Sequence, residues 1–387
     1  MTSHISCKMG DVVTLEQGLA INKKSKHLLV ESGYPLLRIT DMINQRFAQF
    51  INKEEIPKKF IAKENDLIFT RTGQVGLIFR NQTGVIHNNC FRITPFDKLE
   101  RGFLYWFLKQ DKIKSYINTL ASGSAQPDLN HDAFKSVYIS FPKCIEEQNK
   151  IAKFFDAYDN LIENNKRRIA ILEDMAQSLY REWFVNFRYP NHEDNLDADG
   201  NLKLIDSPLG QIPEGWEVKR LDDYVTLQRG FDLPKAKRNN EGSVPIYAAS
   251  GLTGYHDQIK AKGPGIVTGR SGTLGIVKLV LEDHWPLNTS LWVKKFENCS
   301  AHYAYYLLDS IGLERFNSGA SVPTLNRNDV HGNPVIAPPL ELINKFEEIV
   351  AVKHKQINIL KRKNENLKQQ RDMLLPKLIS GQIELKD

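Results

Sequence analysis

No apolar stretch of this 387-residue chain approaches the roughly 18 residues that a membrane-spanning helix needs. The N-terminal MTSHISCKMGDVV has no apolar core of signal-peptide length. We therefore expect a cytoplasmic protein. The four cysteines, Cys7, Cys90, Cys144 and Cys299, are scattered, and no Cys-x-x-Cys occurs. That excludes zinc-ribbon and redox motifs and predicts free thiols in a reducing compartment. The ten histidines show no ligand-like spacing; His27, His87, His131 and His256 stand alone. No Gly-x-x-x-x-Gly-Lys-Ser/Thr is present, so a P-loop nucleotide site is excluded. No glycine-rich cofactor loop follows a strand, and no Asn/Asp-Pro-Pro-Tyr/Phe occurs. Ala337-Pro338-Pro339-Leu340 lacks both the polar first residue and the aromatic last. Glu217-Val218-Lys219 could be half of a nuclease motif, but its paired acidic residue is not evident. The chain is expected to hold no catalytic residue, no metal and no cofactor of its own.

What is present is an ordinary soluble composition, 41% hydrophobic and 25% charged, with a formal net charge of +6. The mild positive balance is compatible with a nucleic-acid partner but is a weak signal alone.

The strongest feature is an internal repeat. Arg71-Thr72-Gly73-Gln74-Val75-Gly76 matches Arg270-Ser271-Gly272-Thr273-Leu274-Gly275. Ser122-Gly123 with Pro127, Leu129 and Asn130 matches Ser318-Gly319 with Pro323, Leu325 and Asn326. Asn149-Lys150-Ile151 matches Asn344-Lys345-Phe346, and Asp11 to Gly18 matches Asp223 to Gly230. The spacing between matching blocks shrinks steadily along the chain, as small deletions in the first half of the second copy would produce. A period of half the chain means two copies of one large module, not a solenoid.

Each copy begins with a mixed region, about 10–142 and 216–338. Short strand-like runs such as Asp66–Thr70 and Gly265–Thr268 alternate there with turn residues, and one helix-like stretch follows, Leu99–Leu120 and Ser300–Phe316. Each copy then turns helical. Ile151, Phe155, Tyr158, Ile162, Asn165, Ile169, Leu172, Ala176, Leu179 and Trp183 recur at alternating steps of three and four. Their partners are Phe346, Val350, Lys353, Ile357, Leu360, Asn364, Leu367, Arg371, Leu374 and Leu378. A stripe sustained this long argues for a coiled-coil seam. The polar members Asn165, Lys353, Asn364 and Arg371 either set pairing register or sit at wet helix edges. Pro142 and Pro338-Pro339 mark the helix starts, and 186–215, rich in Asn, Asp, Gly and Pro, reads as a loop.

The expected fold is α+β. Two mixed α/β domains, 1–142 and 216–338, alternate with helical spacers, 143–190 and 339–387, and a linker at 191–215. Two copies in one chain favour a pseudo-two-fold arrangement with the long helices antiparallel. Helices of about 40 residues would span roughly 60 Å. Such a fused pseudo-dimer suits DNA, because dimeric readers place their two halves about one helical turn apart. Non-identical halves would read an asymmetric, two-part target.

Three features of each module are candidate DNA contacts. The first is the Arg-Thr/Ser-Gly loop, carrying Arg71, Thr72 and Gln74 in one copy and Arg270, Ser271 and Thr273 in the other. Glycine lets backbone approach a ligand, and arginine forks onto guanine or holds phosphate. The alternative is a plain turn whose arginine pairs with a carboxylate. The second is the small polar loop with Ser122, Ser124 and Gln126, or Ser318 and Ser321. The third is basic: Lys23, Lys24 and Lys26 in one copy, Lys235, Lys237 and Arg238 in the other.

Together with Gly215-Trp216-Glu217-Val218, Arg38-Ile39-Thr40-Asp41, Ile246-Tyr247-Ala248-Ala249-Ser250-Gly251 and Gly254-Tyr255, these loops and helix starts resemble the specificity subunits of type I restriction–modification systems. The resemblance covers the full length. It implies two target-recognition domains, related to that of adenine methyltransferases, alternating with two conserved helical regions. Arg38, Thr40, Asp41 and Ser250 of these segments, and separately Arg229, are further candidate DNA contacts. The resemblance implies partners that carry the chemistry: two modification (methyltransferase) subunits using S-adenosylmethionine, docked on the helices, and two restriction subunits using ATP and magnesium. The two recognition domains look like different sub-types, which strengthens the expectation of dissimilar half-sites. Leu179–Val185 corresponds to Leu374–Ser380, where Pro376 should end or kink the helix. The two docking sites are then not equivalent. A stand-alone methyltransferase or nuclease with diverged motifs, and a free DNA-binding regulator, are the competing readings.

Overall fold

A computed structural model describes residues 3–123, 126–239, 241–319 and 321–385. The chain divides into two compact units, Met1–Asn164 with Asn364–Asp387, and Asn165–Lys363. The division falls within both long helices, Ile145–Phe184 and Leu340–Ile379, each of 40 residues. Each unit therefore contains one mixed region and a segment of both helices.

The repeat is visible strand by strand. In the first unit a four-stranded antiparallel sheet runs in the order Val13–Gln17, Cys90–Pro95, Leu67–Thr70, Ile78–Phe79. In the second the order is Val225–Arg229, Ser290–Phe296, Gly265–Gly269, Val277–Val280. The strands Leu67–Thr70 and Gly265–Gly269 are buried at every position, which is why they read as unbroken apolar or small runs. Each unit also pairs its first strand with its last before the helix: His4–Lys8 with Tyr138–Pro142, and Glu217–Arg220 with Pro334–Ala337.

The copies differ in a second sheet. Both contain one parallel pair, Tyr34–Leu37 with Gly84–Ile86 and Val244–Ala248 with Trp285–Pro286. The first unit builds this into five strands, the second into three. This lies in the part of the repeat where the spacing between copies shrinks.

Three expectations need correction. The helix-like stretch after Leu99 is two helices, Arg101–Lys109 and Asp111–Leu120, broken at the extended residue Gln110. Its counterpart is Ala301–Ile311 followed by a 3-10 turn, with Gly312 in the left-handed region between them. The linker is not only loop. It contains a 3-10 turn, His192–Asn195, and a hairpin, Leu204–Ser207 with Gly210–Pro213, whose Ile212 enters the core of the second unit. Pro376 does not end its helix, which runs on to Ile379. It sits in the last turn, where a missing N–H forfeits one hydrogen bond and the helix has little left to interrupt.

Within each unit the two helix segments are antiparallel. In the first, Asp159 meets Arg371 at 2.6 Å, while the earlier Tyr158 lies near Gln370 and the later Ile162 near Asn364. In the second, Ile169 packs on Ile357 and Leu360, and Glu173 meets Lys361 at 2.9 Å. Asn165 and Asn364 are buried, so these two seam asparagines are not at wet edges. Lys353 is only half-buried; the adjacent His354 takes its place inside. The four cysteines are free thiols. Among the described residues no helix is long and apolar enough to cross a membrane.

Candidate nucleic-acid interface

The fold joins the first two sequence features into one structure, twice. Gly73 N–H donates to Pro127 O at 2.9 Å and Leu129 N–H to Arg71 O at 2.9 Å, with Thr72 bridging to Asp128. In the second unit Gly272 N–H donates to Pro323 O at 2.9 Å and Leu325 N–H to Arg270 O at 2.9 Å, with Ser271 bridging to Thr324. The Arg-Thr/Ser-Gly loop and the Ser-Gly loop are thus paired edges of one tip. Gly73 and Gly272 hold positive φ of 77° and 88°, where a side chain is strained. A Cβ at either would meet nothing within 4 Å, so these glycines face open space. That is the geometry of a backbone a ligand could approach.

Around this tip Gln74, Ser122, Gln126, Thr273, Ser318 and Ser321 are exposed, and Thr72 and Ser271 half-buried. Ser122 and Ser318 also close their loops through backbone bonds to Asp128 and Thr324. Ser124 lies outside the described residues.

The arginines differ. Arg71 Nη2 meets Asp128 Oδ2 at 2.6 Å, and its Nε donates to Leu129 O at 3.2 Å; Thr72 Oγ1 donates to the other Asp128 oxygen at 2.7 Å. Thr324 replaces Asp128 in the second unit. Arg270 makes no ion pair among the described residues, and its guanidinium reaches only Asn288 O, at 3.5 Å. Asn288 in turn donates to Asp232, which lies 3.9 Å from Arg229, a residue half exposed at 53%. Arg229 and Arg270, far apart in sequence, are therefore linked at one end of the second domain.

Other candidates stand apart from the tip. Lys23, Lys24 and Lys26 are exposed in a turn and make no ion pair among the described residues. Lys235 and Lys237 are exposed in a short 3-10 turn, while Arg238 donates to Leu233 O at 3.4 Å. Arg38 forks onto Asp41 at 2.8 and 2.9 Å; Asp41 is buried, and the exposed Thr40 also bonds to it. That pair ties the residue before a short helix to its first turn. Ser250 lines a cavity of about 740 Å³ with Glu173, His354 and Lys361 of the long helices.

Sequence reading missed one basic feature. Lys53, Lys58, Lys59 and Lys63 line an open cavity of about 700 Å³ in the first domain, with Tyr34 and Phe60 below two of them. All four are exposed, with no ion pair among the described residues. Glu54, Glu55 and Glu64 mask the run in sequence; only folding gathers the lysines around one opening. No group of His, Cys, Asp and Glu among the described residues is arranged to hold a metal.

Comparison with known proteins adds to this geometry. A family model described as type I restriction modification DNA specificity domain matches residues 6–174 and again 213–369. The MjaIX type I restriction enzyme specificity subunit of Methanocaldococcus jannaschii is 27% identical over 356 residues, covering 84% of this chain and 79% of that protein. The HindI specificity subunit of Haemophilus influenzae is 21% identical, covering 91% and 95%. The crystal structure of the type I restriction-modification S subunit from M. genitalium superimposes with a TM-score of 0.71 at 19% identity, over 97% of this chain and 96% of that one. At that identity the last likeness speaks for the fold.

Proposed function

Because this chain belongs to the type I restriction–modification DNA specificity family, whose model matches it twice, we propose that it reads an asymmetric, two-part double-stranded DNA target, one part per domain. The observation that carries this reading is the paired loop tip, present in both units with the same backbone bonds and different side chains. A shared backbone with different exposed donors suits one docking mode on two different sequences. Exposed lysines at Lys23–Lys26, Lys53–Lys63 and Lys235–Lys237 supply the salt-dependent, sequence-independent part of the affinity.

In this reading the long helices dock two modification (methyltransferase) subunits and, through the complex, two restriction subunits. Ile171, Met175, Val352, Ile359 and Met373 leave large apolar side chains exposed on those helices, as a protein partner would require. S-adenosylmethionine, ATP and magnesium belong to the partners, and this chain contributes selection, not chemistry.

The test is co-expression with the candidate modification subunit, followed by long-read mapping of methylated adenines across a plasmid library. Methylation at one asymmetric motif with two fixed parts and an unread gap is the expected result. A compact unbroken motif, or methylation by this chain alone, would overturn the two-reader assignment.

A further inference from the structure

Two arginines occupy equivalent places in the repeat, and the fold treats them oppositely. Their backbones are superposable in hydrogen bonding: Arg71 N–H donates to Asn89 O at 2.8 Å, Arg270 N–H to Thr289 O at 3.0 Å. Each is followed by an open, positive-φ glycine and backed by the same Pro-x-Leu-Asn segment. The difference is one residue in that segment, Asp128 against Thr324.

Asp128 takes up Arg71. The 2.6 Å ion pair and the 3.2 Å bond to Leu129 O occupy both a terminal nitrogen and Nε, and the side chain is only 23% exposed. Both bonds lie on the Nε/Nη2 edge of the guanidinium, so the side chain is anchored to its own loop and that fork is already filled. Arg71 therefore ties one loop of its tip to the other. Threonine has no charge to offer, so Arg270 keeps its fork. Among the described residues its guanidinium makes one hydrogen bond, to Asn288 O, at the limit of such a bond. Beyond Asn288 lie Asp232 and the exposed Arg229, 3.9 Å from that carboxylate, while Arg270 makes no ion pair among the described residues. Neither arginine there is neutralised as Arg71 is.

We infer that Arg270 is a specificity-determining residue that reads guanine in one half of the target, whereas Arg71 is a positioning residue that holds its loop and reads no base. The chemistry behind this is the match between a guanidinium's two parallel N–H donors and the O6 and N7 acceptors of guanine in the major groove. A phosphate would also accept Arg270, but any cation serves a phosphate, and only a fork selects guanine. The inference rests on the DNA-reading assignment above.

The experiment is motif mapping by the same methylation assay for the wild-type chain and for Arg270→Lys, Thr324→Asp, Arg71→Lys and Asp128→Asn. Arg270→Lys keeps the charge and removes the fork. Thr324→Asp restores the carboxylate that the first domain uses to hold its arginine. Both are expected to relax one guanine position in one half-site, by roughly 5- to 150-fold in discrimination, and to leave the other half unchanged. Arg71→Lys and Asp128→Asn are expected to lower the melting temperature and leave every motif position intact. An unchanged motif in Arg270→Lys and Thr324→Asp would overturn the inference. So would a uniform loss of methylation across all sites in Arg270→Lys, which would make Arg270 a positioning residue of its own loop; the unchanged motif is what a phosphate contact would give. Relaxation by Arg71→Lys alone would reverse the assignment. A wild-type chain that directs no motif at all would instead overturn the DNA-reading assignment, and this inference with it.

Discussion

The two places where a domain meets the long helices share one geometry and use different chemistry. In the first unit the contact is ionic. Asp159 on the long helix meets Lys109 at 3.0 Å and Arg371 at 2.6 Å, while Trp106 Nε1 donates to Asp156 at 2.7 Å and Arg80 lies 4.1 Å over the ring of Tyr105. In the second unit the same positions are aromatic and imidazole. His354 stands where Asp159 does and hydrogen-bonds to Tyr306, the counterpart of Trp106, at 2.8 Å; His302 stacks on His354 and bonds to Glu347 at 2.7 Å. The opposing helix follows suit. Leu375, Leu378 and Ile379 close the first core, and Tyr180, Trp183 and Phe184 close the second. An internal repeat thus preserves where apolar and polar groups fall, and leaves free which groups they are. Trp106, Asp159, His302 and His354 are tolerated at these junctions because each makes a hydrogen bond or ion pair there.

The difference can be broken or sharpened by measurement. The largest effect is expected from Phe346→Ala. Phe346 is fully buried among Tyr180, Trp183, Phe184, Tyr303 and Tyr306, and its removal should cost about 4 kcal/mol. Hydrogen exchange by mass spectrometry should place the loss in the second unit. An equal loss of protection in both units would mean that the two cores are one cooperative structure.

Acid comes next. Burial, reinforced by His302 and opposed by Glu347, pushes His354 down from 6.5 to about 4. A folded pKa below the unfolded one means that the unfolded chain binds the proton more tightly. Stability is complete above pH 6.5 and is lost as pH falls toward 4, by about 3 kcal/mol at most. In the first unit burial raises the Asp159 carboxyl, but Lys109 and Arg371 outweigh it and hold the group below its usual range. Its contribution persists until pH drops below about 4. Urea denaturation followed by hydrogen exchange at pH 7 and pH 5 should show the second unit weakening first. If the first unit opens earlier, the assignment of the two junctions is wrong.

The smallest effect is expected from Asp159→Asn. Lys109 retains Tyr105 and Arg371 retains Asp372, so the partly exposed pair should lose only about 2 kcal/mol. Calorimetry should register it, and 1 M salt should shrink the difference between variant and wild type.

Much of the architecture is legible in the sequence because periodicity is local. The stripe Ile151, Phe155, Ile162, Ile169, Ala176 and Trp183 is buried as its spacing predicts. The stripe fails at Lys353, where the neighbouring His354 is buried instead, because Tyr306 offers it a hydrogen bond that no helical pattern encodes. The candidate site was legible as two separate loops. That they form one tip depends on backbone bonds between residues more than fifty positions apart, Arg71 with Leu129 and Arg270 with Leu325. The lysines around Tyr34 escaped notice because acidic neighbours cancel them in any linear window.

By itself, then, the sequence determined that there are two copies of one module, that each ends in a long helix, and that catalytic motifs are missing. These are matters of order and period, carried by many residues at once, so no single contact can undo them. Only the tertiary structure decided which polar groups remain available to a ligand. Arg38, Arg71 and Arg270 are equally plausible readers on paper. Folding neutralises the first against Asp41 and the second against Asp128, and leaves the third with no ion pair among the described residues. The outcome rests on individual side chains brought together in space, and pairing of that kind has no signature along the chain.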